Sequence, residues 1–311
     1  MRLLIIGGTR FVGRIVLENL VKEHPNYKIT IFNRGITNKN LFKNQPNIEF
    51  IKGDRETNDI AQLFNRKWDV VLDFMGYFPD SLEYLLTNIH TKIGKYIFIS
   101  TISTYDLEHP TAIPVTERGK LLKWTKNDRN DTTWDSYGKR KVACETAIEK
   151  FSNLDHVILR PSLIYGQYDY TERLYHWLYQ LKHKSLLEVP IEFNKLVNYT
   201  FANDFVKVII HFIEASHQQN CYNVVTHKAV PLTQLLNDSK KWIGSDCEII
   251  SKQINATNET EIPLWFPKEC LEISSESLLK ELPFNFTKFE DSIEQTVQYC
   301  NSINWPAPSF L

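Results

Sequence analysis

The apolar run Leu3-Leu4-Ile5-Ile6 passes without a break into Gly7-Gly8-Thr9-Arg10-Phe11-Val12-Gly13. A buried strand that enters a glycine turn and leaves it as a helix is confined to few architectures, because the backbone bends sharply just where the helix exposes its unpaired N–H groups. The helix is read as opening at Gly13, and Ile15, Val16, Leu17 and Leu20 continue it with an apolar face. A second apolar stretch, Lys28–Phe32, arrives within the length of one βαβ unit. This layout lets the backbone approach a pyrophosphate and points a helix N-terminus at its charge. It predicts a dinucleotide site built on Gly7, Thr9, Arg10, Phe11, Val12 and Gly13. One position departs from a Gly-x-x-Gly-x-x-Gly pattern: its middle glycine is Arg10.

The alternation continues through the first half. Strands are predicted at Arg2–Ile6, Lys28–Phe32, Ile48–Lys52, Val70–Phe74, Tyr96–Ser100 and His156–Arg160, with helices at Gly13–Lys22, near Asp59–Phe64, at Ser81–His90 and at Ser136–Phe151. Continuous apolar strands alternating with helices indicate an α/β fold, a doubly wound parallel sheet of Rossmann type covered on both faces. Beyond Arg160 the pattern loosens: aromatics crowd Tyr165–Tyr179, short strands (Leu186–Val189, Cys221–Val225) mix with helices (Asp204–Ala215, Leu232–Ile243, Phe289–Tyr299), and Lys252–Glu261 reads as a surface loop. The expected division is a dinucleotide-binding domain over 1–165, with 198–225 contributing back to it. A smaller α+β substrate region would take 166–197 and 226–311.

Composition narrows the classes. With 311 residues and 42% apolar content there is material for a large core, and a net charge of −1 gives no general attraction to nucleic acid or an acidic membrane. The five cysteines are scattered without a Cys-x-x-Cys pair, so neither a metal site nor a disulfide framework is expected, and a reducing cytoplasm is the simplest setting. No signal-peptide core or stretch of ~20 apolar residues is present.

Tyr137 and Lys141 stand four residues apart on a predicted helix and therefore share a face. An ammonium beside a phenol stabilises phenolate and lowers its pKa, which would make Tyr137 an acid/base. Tyr137 is the only one of the fourteen tyrosines with lysine at this spacing, although about one such pair is expected by chance in a chain of this composition. Position adds weight. The strand Phe98-Ile99 ends in Ser100-Thr101-Ile102-Ser103-Thr104-Tyr105, and hydroxyls at the carboxyl end of a parallel strand stand where such sheets bind ligands.

Taken in order, Gly-Gly-x-x-Phe-Val-Gly, Ser-Thr-x-x-x-Tyr, Tyr-x-x-x-Lys and Arg160-Pro161-Ser162-Leu163-Ile164-Tyr165-Gly166 resemble the extended short-chain dehydrogenases/reductases of the NAD-dependent epimerase/dehydratase group. Tyr199-Thr200-Phe201-Ala202-Asn203-Asp204, Cys221-Tyr222-Asn223-Val224 and the C-terminal helix extend the resemblance over nearly the whole chain. It implies an oxidoreductase or epimerase acting by hydride transfer at a hydroxyl/carbonyl carbon of a sugar-like substrate. Tyr137 would be the proton-transfer group, and Lys141 would lower its pKa and hold the nicotinamide ribose. Thr101 would stand beside the reacting oxygen with Ser100 as its neighbour, and Pro161 would lie near the carboxamide. Helices in this group often pair across a two-fold axis, which is compatible with a homodimer. The opening Gly-Gly-Thr-Arg-Phe is similar to a subset that includes chloroplast stem-loop-binding proteins, so a catalytically inactive dinucleotide-binding or RNA-binding protein is the alternative. Retention of Tyr137 and Lys141 argues for the enzyme. Dehydration needs an acidic group beside Thr101; Ile102 and Ser103 follow instead.

NADP(H) is the favoured coenzyme, with NAD(H) as the alternative. The second strand ends in Asn33-Arg34 rather than an acidic residue, and Arg10 and Arg34 could clamp a 2′-phosphate. Asp54, with Arg55, ends the third strand on the adenine side, and Phe74, Met75 and Gly76 follow the fourth on the ribose side. Ser103, Arg173 and His176 are candidate substrate residues; an aromatic core face is an equally good reading of the helix that carries the last two.

Overall fold

Leu3, Leu4, Ile5 and Ile6 are all essentially inaccessible to water. A strand with no exposed face needs helices above and below it, and the chain supplies them. The computed structural model describes residues 1–38, 40–253 and 272–309. Its first half runs β1 (Arg2–Ile6), α1 (Phe11–Glu23), β2 (Lys28–Asn33), β3 (Ile48–Lys52), β4 (Trp68–Asp73), α2 (Pro79–Ile89), β5 (Ile93–Ile99), α3 (Tyr137–Glu149) and β6 (His156–Pro161). The second half runs β7 (Leu163–Tyr165), α4 (Arg173–His183), β8 (Leu186–Pro190), β9 (Tyr199–Phe201), α5 (Ala202–Glu214), β10 (Cys221–Val224), α6 (Leu232–Ile243), β11 (Glu248–Lys252), α7 (Glu276–Glu281) and α8 (Phe289–Ser302).

Seven strands form one parallel sheet in the order β3-β2-β1-β4-β5-β6-β10. The fold is the predicted doubly wound Rossmann arrangement. Helices α1 and α5 cover one face, where Ile15, Val16, Phe205, Ile209 and Phe212 meet Ile5, Ile31 and Leu72. Helices α2 and α3 cover the other, where Leu82, Leu86, Cys144 and Ala147 meet Leu4, Val71 and Phe98. Strand order reverses between β1 and β4, so a crevice opens beyond their carboxyl ends, and that is where the glycine turn lies.

A second core gathers Trp177, Leu178 and Leu181 of α4, Leu232 and Leu236 of α6, and Ile293 and Val297 of α8 around two small parallel sheets, β8/β11 and β7/β9. These sheets and helix α7 carried weak sequence signals, because strands of three to five residues are too short for a period to register. Asp204, fully buried at the start of α5, accepts the Thr287 backbone N–H and hydroxyl at 2.8 Å each and so ties this part to the main sheet. Most of the loop expected at Lys252–Glu261, and Cys270, lie outside the described residues.

Helix α1 opens at Phe11, two residues earlier than its sequence suggested, with Arg10 in extended conformation as its cap. Gly13 therefore sits in the first turn, pressed against Gly8. A Cβ at Gly13 would lie 2.5 Å from the Gly8 Cα, with backbone and not a movable side chain in the way. We expect Gly13→Ala to push α1 off the turn, at a cost of about 2–3 kcal/mol. A thermal melt should show Tm lower by about 4 °C or more; an unchanged Tm would mean that this close approach is not required.

Candidate active site

The carboxyl ends of β1, β2, β4, β5 and β6 open into a cleft of about 1330 Å³, larger than the ~300–1,000 Å³ of ordinary small-molecule sites. The predicted residues Gly7, Thr9, Arg10, Phe11, Val12, Gly13, Asn33, Arg34, Asp54, Arg55, Phe74, Met75, Ser100, Thr101, Ser103, Tyr137, Lys141, Pro161 and Arg173 all line it. Thr9 knits its floor: the Thr9 hydroxyl donates to the Thr37 carbonyl at 3.1 Å, and the Asn38 amide donates to the Thr9 carbonyl at 2.7 Å. Asn33 spends its side-chain oxygen on Gly35 N–H at 2.8 Å. Arg34 stays exposed at the rim.

Beyond the end of β5, Thr101 caps a single helical turn (Ile102–Thr104) and its hydroxyl oxygen accepts Ser103 N–H at 3.1 Å. Helix α3 brings Tyr137 and Lys141 against this turn. Gly138 makes that possible: a Cβ there would fall 2.1 Å from the Ser103 carbonyl oxygen. Neither Gly138 nor Tyr77, whose ring centroid lies 6.3 Å from that of Tyr137, was singled out in the sequence. The Tyr-Gly dipeptide was the available signal for Gly138.

Several predicted residues have other work. Gly76 does not reach the cleft; it gives room to the Phe98 ring, which a Cβ would meet at 2.3 Å. His176 is fully buried in the second core beside Gln180 and Trp177, because α4 turns that face inward, so it is not a substrate residue. The Arg55 guanidinium is buried against Asp73, 2.6 Å from Oδ1, and Asp73 also accepts the Met75 N–H at 2.8 Å. This pair therefore shapes the cleft wall rather than reaching out to a ligand. Ser100 donates its hydroxyl to buried Glu145, which leaves Thr101 as the hydroxyl beside Tyr137. Arg10 lays its guanidinium over the Tyr170 ring, 3.5 Å from the centroid. That engagement takes it out of the 2′-phosphate clamp expected of it.

The model of the NAD dependent epimerase/dehydratase family matches residues 3–225. The chain belongs to this family. It is 22% identical to human dTDP-D-glucose 4,6-dehydratase over 288 residues, covering 84% of this chain and 77% of the relative. Among solved structures, UDP-N-acetylglucosamine 4-epimerase from Methanobrevibacter ruminantium, in complex with UDP-N-acetylmuramic acid, aligns with a TM-score of 0.77 at 18% identity, covering 97% of this chain and 98% of that one. dTDP-glucose 4,6-dehydratase from Bacillus anthracis, in complex with NAD, aligns with a TM-score of 0.76 at 17% identity, covering 97% of each chain. Among the described residues of this family member, no helix is long and apolar enough to cross a membrane.

The glycine turn fits the dinucleotide that the family name specifies. Gly7, Gly8 and Gly13 leave the backbone bare, and a Cβ at Gly7 would collide with Met75 Cγ at 2.6 Å. Electrostatics departs from the simple lysine–tyrosine expectation. Burial is the largest influence on Tyr137 and pushes its pKa up to about 12; the Arg173 charge, the Thr101 hydroxyl and the Arg140 charge oppose it. Lys141 is 2% exposed and donates to the Ile99 carbonyl at 2.8 Å, with the Tyr77 and Phe98 rings 4.8 and 4.7 Å away. Burial lowers its pKa to about 8.

That lowering makes Lys141 a liability to stability. Its ammonium is disfavoured in the folded chain below pH 8, and the penalty fades as pH rises from about 8 towards the ordinary lysine value of 10.5. Lys141→Met should therefore resist urea better than the native chain at pH 7, by on the order of 1–3 kcal/mol. The advantage should vanish by about pH 10.5. Urea titrations at both pH values check this; equal stability at pH 7 would show the buried ammonium to be fully compensated.

Proposed function

We propose that this enzyme oxidises and reduces a hydroxyl/carbonyl carbon of a nucleotide-sugar-like substrate, with Tyr137 as acid/base. The observation that carries this reading is the convergence of the Thr101 hydroxyl, the Tyr137 phenol and the Arg173 guanidinium in one cleft whose other end is the glycine turn. The cleft volume accommodates a dinucleotide and a second ligand of similar size.

The residues divide the work. Gly7, Thr9 and Phe11–Gly13 would present backbone N–H groups to the pyrophosphate. Asp54, which lines the cleft, would accept from the adenine amino group. Bound there, a nicotinamide dinucleotide supplies hydride exchange with the substrate carbon. Thr101 would hold the reacting oxygen in place by hydrogen bonding, and Tyr137 Oη would take or return its proton. With its pKa raised to about 12, Tyr137 is a phenol near neutral pH and so stands ready as the acid. Arg173 and Arg140 already hold the phenol below where burial alone would put it, and taking a proton from substrate needs further positive charge beside it. Lys141 Nζ would orient the ribose beside it, and Ser103 and Arg173 would meet the substrate. Ile102 is buried and Ser103 is neutral, so the two positions directly after Thr101 carry no carboxylate; Asp106 and Glu108, further along the same segment, line the cleft.

The adenosine end is read as favouring NADP(H). Asn33 carries no charge to repel a 2′-phosphate and exposed Arg34 would pair with one; with Arg10 engaged elsewhere, the reading rests on Arg34.

Tyr137→Phe should lower turnover about 10²–10⁴-fold while dinucleotide affinity, followed by NAD(P)H fluorescence, changes little. Turnover retained in this variant would sink the acid/base assignment. Arg34→Ala should weaken NADPH about tenfold or more and leave NADH unchanged. Equal affinities for the two in the native chain would return the assignment to NAD(H).

A further inference from the structure

Arg10 and the segment joining β7 to α4 remain without a role in the function proposed above. They meet each other. The Arg10 guanidinium carbon lies 3.5 Å from the centroid of the Tyr170 ring, and that of Arg14 lies 3.6 Å from the centroid of Tyr168. Arg10 caps α1 and Arg14 follows one turn later. Two tyrosines two positions apart in one turn-rich segment thus engage two arginines one helical turn apart. Phe11, inside the glycine turn, adds an edge contact to Tyr170 with ring centroids 6.3 Å apart.

The segment is braced along its length. Tyr168 packs edge-on against Tyr299 of α8, with centroids 5.4 Å apart. At the far end, Glu172 accepts the Ser309 backbone N–H at 2.7 Å and its hydroxyl at 3.1 Å. Tyr168 and Glu172 hold φ values of 63° and 56°, a region that side chains other than glycine rarely adopt. Such backbone persists where its surroundings over-determine it, and the ring stacks and the Glu172 bonds do so here. Between these anchors Tyr170 lines the cleft, bridging from the glycine turn towards Arg173. Its phenol stands near enough to Tyr77 and Tyr137 to raise the pKa of both.

We propose that Tyr168–Glu172 is a strap that roofs the glycine turn and keeps the dinucleotide resident, with Arg10 and Arg14 as its latches. Cation–aromatic contacts gain strength when desolvated, so the latch tightens as the cleft fills. The inference deepens the proposed function and rests on it. With no coenzyme exchange between turnovers, a substrate carbon that loses a hydride and a proton to become a ketone hands its hydride to a coenzyme that must return it within the same turnover. No external reductant is consumed, so a redox-neutral conversion is selected over net reduction.

The test is the release rate of NADH and of NADPH from the full chain, measured by stopped-flow fluorescence after a chase with excess oxidised dinucleotide. Arg10→Ala and Tyr170→Leu should each speed release about tenfold. Tyr170→Phe, which keeps the ring, and Arg10→Lys, which keeps the charge, should restore slow release. Tyr170 is 46% exposed, so its replacement leaves the core intact. Release at the native rate from both Arg10→Ala and Tyr170→Leu would overturn the strap while leaving the proposed function standing. So would an Arg10→Ala effect confined to NADPH, which would make Arg10 a reader of the 2′-phosphate. Failure of the native chain to bind either dinucleotide would overturn the proposed function and the strap together.

Discussion

The site depends on a buried ion pair that does not itself line the cleft. Arg160 in β6 reaches Glu145 in α3 through two bonds, Nε to Oε1 at 3.0 Å and Nη2 to Oε2 at 2.5 Å, and both residues are at most 5% exposed. Glu145 also accepts the Ser100 hydroxyl, and Arg160 donates to the Tyr105 hydroxyl at 2.8 Å, which in turn donates to Asn223 of β10 at 2.7 Å. One network therefore pins α3 to three strand ends. Desolvating two charges is costly, and only fork-like geometry with the remaining polar groups satisfied makes it tolerable. Removing either partner would leave a buried charge alone, a loss on the order of 3–5 kcal/mol. The direction that the network imposes on α3 is what brings Tyr137 to Thr101.

Helix α3 shows how a functional helix departs from ordinary packing. Arg140, Lys141 and Glu145 are buried in it beside Val142, Ala143, Cys144, Ala147 and Ile148, so its inward face mixes charge with apolar packing. Apolar contacts seat such a helix on the sheet, and polar partners on other elements complete its orientation. The same burial raises the Tyr137 pKa and lowers that of Lys141, so the site holds a neutral phenol beside a weakened ammonium. A single cause, exclusion of water, acts on both, and Arg173 supplies the counteracting field from a different part of the chain. Coupling the proton-transfer group to an arginine at the start of α4 also couples it to the segment that bridges the cleft.

The family, the parallel sheet and somewhat under half of the cleft lining were legible in the chain before any coordinates. Each depends on local order: an apolar strand, a glycine turn, a Tyr-x-x-x-Lys spacing, a strand ending in hydroxyls. Readings failed where the three-dimensional surroundings of a residue, and not its neighbours in sequence, set its role. Gly76 yields space to Phe98 inside the sheet packing, His176 faces the second core, and Arg55 turns into Asp73. Arg10 belongs with them. Its charge and its place in the turn were evident, yet its partner is Tyr170, far along the chain, and no spacing rule connects the two.

Local sequence by itself determined the strand-turn-helix start, the βα alternation and the residue types available for proton transfer, because these follow from neighbours within a few positions. Tertiary structure alone decided which hydroxyl stands beside Tyr137, which arginines remain at the cleft rim, and how far each titrating group is shifted. Those outcomes depend on desolvation and on charges brought together from distant segments, and both are properties of the packed molecule rather than of any stretch of it.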